Sequence, residues 1–180
     1  MTINYKKRIR LKNFDYKGGY RYFITLCTFN KKPAFEDNIL VNPALPFRLR
    51  KGGVNWLIDV LREKSKSFGF KIWAYCFMPD HLHLLIEGKD SNSDMKQFIS
   101  SYKQYTSYYH KKQTGLPVPL ARQTGTPLWQ INFYEHVLRN EEDTMNVVYY
   151  IFGNPVRKGL VGDYRKYKFL GSFEFDIKQT

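Results

Sequence analysis

Cysteine is scarce: the chain has two, Cys27 and Cys76, in 180 residues. Each sits in an apolar, strand-like run, so they read as buried thiols and not as a disulfide or metal pair. No Cys-x-x-Cys and no His-Glu-x-x-His occurs, which disfavours a zinc ribbon or a zinc protease. The phosphate-cradling Gly-x-x-x-x-Gly-Lys-Ser/Thr loop and the Gly-x-Ser-x-Gly elbow are missing too. No apolar run reaches about 18 residues, and the opening MTINYKKRIRLK has no apolar segment, so neither a membrane span nor a secretory signal is expected. Acids are few, with 16 Asp+Glu against 29 Lys+Arg, a formal charge of +13. Such a charge attracts polyanions, and without a membrane feature the favoured partner is nucleic acid.

What is present is a chain long enough for one domain, 43% hydrophobic and 17% aromatic. Residues 1–19 form a basic arm ending at Gly18-Gly19, 20–155 the core and 156–180 a basic tail. YRYFITLCTFN (20–30) reads as a strand and the Pro/Gly-containing 31–53 as a loop. Val54, Leu57, Ile58, Val60 and Leu61 recur at helical spacing to about Ser67. FKIWAYCFM (70–78) and HLHLLIEG (81–88), parted by Pro79-Asp80, read as a hairpin. Met95, Phe98, Ile99, Tyr102, Tyr105 and Tyr109 trace a helical stripe, and 113–127 a loop. LWQINFYEHVLR (128–139) is partly strand-like. Asn140 is the expected N-cap of a further helix, with Glu141, Glu142 and Asp143 in its first turn, running to about Gly153-Asn154-Pro155. A short element is expected in KFLGSFEF. The order β-α-β-β-α-β plus a helix predicts an α+β, ferredoxin-like split βαβ fold: an antiparallel sheet, helices on one face, and a C-terminal helix.

The chain has four histidines, and two stand one residue apart in MPDHLHLLIEG. Strand alternation puts His81, His83, Leu85 and Glu87 on one face, and Leu82, Leu84 and Ile86 on the other. Two imidazoles about 7 Å apart along a strand can converge on one ion. Taken alone, such a pair is more often a hydrogen-bonded start to a strand, because two ligands are too few for a site. Tyr149 and Tyr150 lie about 100° apart on the expected helix. Four residues after Tyr150 comes Asn154, whose amide oxygen can ligate a hard cation; four after Tyr149 comes Gly153, which offers nothing.

MPDHLHLLI, WQINFYEHVLRN and YYIFGNPVRKGLV, with the opening RIRLKNFDYKGGYRYFITLCTFN, together resemble the REP-associated tyrosine transposases. These are single-tyrosine members of the HUH (His–hydrophobic–His) nuclease superfamily. The resemblance runs from about Arg8 to Gly171. It implies Tyr150 as the catalytic tyrosine on the C-terminal helix, and His81, His83 and Asn154 as ligands of a divalent metal, Mg2+ or Mn2+. Asp80 stands where relatives often carry Asn or Glu, and either tunes the site or caps the turn. Gly153 stands where relatives often have a polar residue.

The resemblance further implies a bacterial cytoplasmic enzyme, monomer or homodimer, that cleaves and rejoins single-stranded DNA near hairpins through a 5′-phosphotyrosine. The expected DNA contacts are Lys6, Lys7, Arg8, Arg10, Lys12, Arg48, Arg50, Lys51, Lys103, Lys111, Lys112, Arg157 and Lys158. Arg139 is a phosphate contact or half of an ion pair. Two rivals explain the charge and aromatics: a ferredoxin-like RNA-binding module, and an inactive relative that binds hairpins without cutting.

Overall fold

A computed structural model describes residues 11, 13–35, 53–113 and 127–177 of the chain. Five strands, β1 (Arg21–Cys27), β2 (Phe70–Met78), β3 (His81–Gly88), β4 (Tyr134–Val137) and β5 (Leu170–Gly171), form one sheet in the order β4-β1-β3-β2-β5. Every pairing is antiparallel. The helices are α1 (Gly53–Ser67), α2 (Met95–Gln113), α3 (Thr144–Phe152) and the single turn α4 (Asn154–Arg157). The expected split βαβ order is thus realised, with β5 added beside β2.

Alternation sorts the central strands into two cores. Tyr22, Ile24 and Leu26 of β1 and Leu82, Leu84 and Ile86 of β3 are buried against α1 and α2. The opposite face carries Phe23, Leu85, Ala74, Cys76 and Met78, covered by Val147, Val148, Ile151 and Phe152 of α3. In β2 the bulge between Ile72 and Ala74 changes the parity. It lets Phe70, Ile72, Tyr75 and Phe77 all face the first core. Both cysteines are free and buried, as expected.

Three local expectations change. The buried stripe of α2 continues after Tyr102 through Thr106 and His110, not Tyr105, which is 36% exposed. The 3.6-residue period runs on through polar positions there: the Trp129 indole donates to Thr106 Oγ1 at 2.8 Å. The N-cap of α3 is Asp143 and not Asn140; its carboxylate accepts from Asn146 N–H at 2.9 Å. Glu141 and Glu142 therefore precede the helix. The end of the basic arm is docked as well, because Tyr16 is buried and its hydroxyl donates to Glu135 at 3.0 Å. Gly18 and Gly88 make that docking possible, since a Cβ on Gly88 would overlap the Gly18 carbonyl oxygen.

The tail is also part of the fold. Tyr164 stacks on Phe152 at 5.7 Å, and Tyr167 donates its hydroxyl to the Phe77 carbonyl at 2.8 Å.

Candidate active site

The turn Pro79–Asp80 sets the first histidine. The Asp80 carbonyl accepts from Thr28 N–H and Thr28 Oγ1, both at 2.9 Å, tying the hairpin to the end of β1. The Asp80 carboxylate lies 2.6 Å from His81 Nδ1. A carboxylate only accepts, so the hydrogen sits on Nδ1 and Nε2 is turned toward His83. Asp80 thus serves both the turn, through its carbonyl, and the histidine, through its side chain.

The second histidine is set by the neighbouring strand. Thr25 lies opposite His83 in the β1–β3 register, and its Oγ1 is 2.9 Å from His83 Nδ1. The two rings close from the strand spacing to centroids 4.6 Å apart, with Nε2 atoms at 3.1 Å. Burial first, then the His81 and Arg157 charges, push the His83 imidazole down to about 3. It is neutral near pH 7, and a neutral imidazole keeps a lone pair on one of its two ring nitrogens. Metal–nitrogen bonds of about 2.0–2.2 Å meeting between a right angle and the tetrahedral angle put two nitrogens about 2.8–3.6 Å apart. The observed 3.1 Å lies within that range, so the pair fits two positions on one cation. Among the described residues no group of three or more His, Cys, Asp and Glu could hold a metal.

The helix α3 brings Tyr150 to the histidine face. Its stripe Val147, Val148, Ile151 and Phe152 packs on the sheet. Tyr150 is partly buried against that cluster, whereas Tyr149 is 45% exposed. The Phe23 ring meets Tyr150 edge to face at 6.0 Å and stacks on His83 at 5.4 Å. One buried ring therefore touches both the tyrosine and the histidine.

The helix end completes the arrangement. Pro155 has no N–H, so the Ile151 carbonyl loses its usual donor. Asn154 Nδ2 substitutes, donating to the Ile151 and Tyr150 carbonyls, each at 3.1 Å. Those two bonds leave the amide oxygen Oδ1 unused, an atom type able to ligate a hard cation. Arg157 adds a bond to the Tyr150 carbonyl at 2.6 Å, and its guanidinium carbon lies 4.5 Å from the Tyr150 ring centroid.

Arg157 thus lies against the tyrosine, while Lys158 is exposed just beyond α4. Lys103 is elsewhere: its ammonium donates to the Ile131 carbonyl at 2.6 Å, linking α2 to the segment before β4. Arg139 is exposed and engages through its main chain, its N–H donating to Glu142 at 2.7 Å and its carbonyl accepting from Arg21 at 3.3 Å. Glu142 also bonds His136 Nε2 at 2.8 Å. Burial pushes its carboxyl up, but the Arg139 N–H and the His136 ring prevail and hold it below the usual range. Lys111 and Lys112 lie in the last turn of α2, where only the backbone is described. Lys6, Lys7, Arg8, Arg10, Lys12, Arg48, Arg50 and Lys51 lie outside the described residues. Two residues at the site went unread in the sequence, Phe23 and Thr25. Alternation in β1 puts them on one face, but only the strand register sets them against His83.

The strand order and the two crossover helices define a ferredoxin-like α+β protein with a paired-histidine and tyrosine face. The chain belongs to the IS200-like transposase family, whose model matches residues 17–154. It is similar to the REP-associated tyrosine transposase of Escherichia coli K12, 32% identical over 124 residues, or 67% of this chain and 62% of that protein. A Haemophilus influenzae protein carrying a REP-associated tyrosine transposase description is 27% identical over 148 residues, 71% of this chain and 84% of the relative. The fold matches the solved structure of a REP-associated tyrosine transposase bound to a REP hairpin, with TM-score 0.60 and 21% identity over 91% of this chain and 82% of the other. Among the described residues no helix is long and apolar enough to cross a membrane.

Proposed function

We propose that this transposase-family protein cuts and rejoins single-stranded DNA beside hairpins, with Tyr150 as nucleophile and His81, His83 and Asn154 holding a Mg2+ or Mn2+ ion. The observation that carries this reading is the contact of Tyr150 and His83 with the same buried ring, Phe23. The hairpin as substrate is supported by the structural relative bound to one, and the charge of +13 suits a polyanionic strand.

In the reaction the Tyr150 phenol oxygen attacks phosphorus in line and gives up its proton. The new O–P bond forms as the bond from phosphorus to the 3′ oxygen breaks, and that oxygen takes up a proton. The products are a 5′-phosphotyrosine and a free 3′ hydroxyl. Attack of a 3′ hydroxyl on the phosphotyrosine reverses the exchange and joins strands. One phosphoester replaces another, so no nucleotide cofactor is required. A bound divalent ion would supply charge neutralisation at the phosphate oxygens. The histidines, held with Nδ1 on Asp80 and Thr25, present their Nε2 atoms toward one point. The neutral state of His83 keeps it a ligand, not a competing cation.

The test is covalent capture. The protein is incubated with single-stranded hairpin DNA and Mg2+ or Mn2+ and run on a denaturing gel. Wild type and Tyr149→Phe are expected to form an adduct that Tyr150→Phe lacks. An adduct surviving Tyr150→Phe overturns the assignment, and none from wild type with either metal favours hairpin binding without cleavage.

A further inference from the structure

The backbone at Gly153 does not need a glycine. With φ −71° and ψ −9° it is right-handed helical, a conformation any residue adopts. Its role is therefore one of space. A Cβ built there would stand 2.5 Å from Arg157 Nη1 and 3.2 Å from the Tyr149 carbonyl oxygen. The glycine leaves a notch at the helix end, and the Arg157 guanidinium lies in it.

From that notch the guanidinium reaches Tyr150 twice, by its bond to the carbonyl at 2.6 Å and by its approach to the ring at 4.5 Å. Phe23 meets the same ring edge to face. The ring thus has an apolar neighbour in Phe23 and a cationic one in Arg157, which restricts the swing of its phenol oxygen. We propose that Gly153 and Arg157 work as one positioning device that holds the Tyr150 ring in its attacking orientation, an inference that rests on Tyr150 as nucleophile. Arg157 then acts through Tyr150, not as one more phosphate contact.

The two roles separate experimentally. Loss of a phosphate contact weakens DNA binding and its salt dependence, and a lysine largely replaces it. Loss of positioning slows the step after binding, and lysine does not restore it because the planar fork is gone. Single-turnover adduct formation at saturating hairpin DNA, alongside the Kd for that DNA, is measured for wild type, Gly153→Ala, Arg157→Ala, Arg157→Lys and the double Ala variant. All four variants are expected to react about tenfold or more slowly with the Kd little changed. Gly153→Ala keeps the arginine and displaces it, so the double variant is expected to be no slower than Arg157→Ala. A wild-type rate for Gly153→Ala, independent additive losses, or a defect confined to Kd each overturns the proposal.

A second readout does not need turnover. In protein labelled with 3-fluorotyrosine, the 19F resonance missing from Tyr150→Phe identifies the ring. That resonance is expected to shift or broaden in Gly153→Ala and Arg157→Ala, and an unmoved signal refutes the positioning role. If wild type forms no adduct, the strand-transfer reading fails, and the fluorine signal alone decides whether the pair orders the ring.

Discussion

Mild acid should destabilise this protein through one buried ring. His83 is 8% exposed, and its imidazole is pushed down to about 3 from the ordinary 6.5, first by burial and then by the His81 and Arg157 charges. Below pH 6.5 the unfolded chain takes up a proton at this residue that the folded chain refuses. The unfolded state then binds more protons, so stability falls as pH drops. The contribution is complete above about pH 6.5, declines toward pH 3 and levels off below. Each pH unit inside the window is worth about 1.4 kcal/mol, so roughly 2 kcal/mol is lost by pH 5 and about 4–5 kcal/mol over the whole span. Against a typical total of about 5–15 kcal/mol that is a large fraction.

Urea unfolding at pH 7.5, 6.5, 5.5 and 5.0 measures it, on wild type and on His83→Gln. Glutamine keeps a neutral polar group near Thr25 and cannot titrate. Wild type is expected to lose roughly 2 kcal/mol more than the variant between pH 7 and 5. Carboxylates titrate mainly below this window, and the difference between the two proteins isolates His83 from everything shared. Equal slopes in the two proteins would refute the claim that burial keeps this ring uncharged.

Two further substitutions probe the scaffold behind the histidines. Thr25→Val removes the hydroxyl 2.9 Å from His83 Nδ1 while keeping the branched shape. It is expected to cost about 1–3 kcal/mol in urea unfolding, because a buried nitrogen loses its partner. Calorimetric Mn2+ affinity is expected to fall about 10–100-fold, and unchanged affinity removes Thr25 from the site. Gly88→Ala would drive a methyl into the Gly18 carbonyl oxygen and to 2.9 Å from Ser93 Cβ, neither of them free to swing away. A loss of about 1–3 kcal/mol, seen as a lower Tm, is expected, and a wild-type Tm contradicts the close approach.

The parts of the fold that the sequence made legible are those where one period rules. Strand β3 and helix α1 alternate or recur cleanly, and their limits agree with the expected ones to within a few residues. The rest failed where polar residues carry structure. In α2 the stripe passes to Thr106 and His110, which a search for apolar residues skips. Before α3 several candidate caps stand in NEED, and local chemistry alone does not rank them. The choice falls on Asp143 because Glu142 is engaged with His136 and Arg139, partners from a different strand and turn. The bulge in β2 left no mark at all in FKIWAYCFM, where nearly every residue is apolar and parity is invisible.

The site shows a sharper version of the same limit. Spacing alone preferred Tyr150 to Tyr149, because only Tyr150 has a polar residue four positions on. The same rule carried one step further reaches Arg157, since Tyr150, Asn154 and Arg157 stand at i, i+4 and i+7 of one helical face. That continuation is hidden in the sequence, where Gly153 and Pro155 look like a helix end. The chain does break its hydrogen bonding there, but the backbone at Gly153 stays right-handed and α4 resumes at Asn154. The angular register therefore survives the break. It brings an amide and a guanidinium back onto the Tyr150 carbonyl, and the same amide onto the Ile151 carbonyl that Pro155 leaves without its usual donor. A glycine and a proline that end a helix by the usual signals here end only its bonding, and the face that carries the tyrosine continues across them.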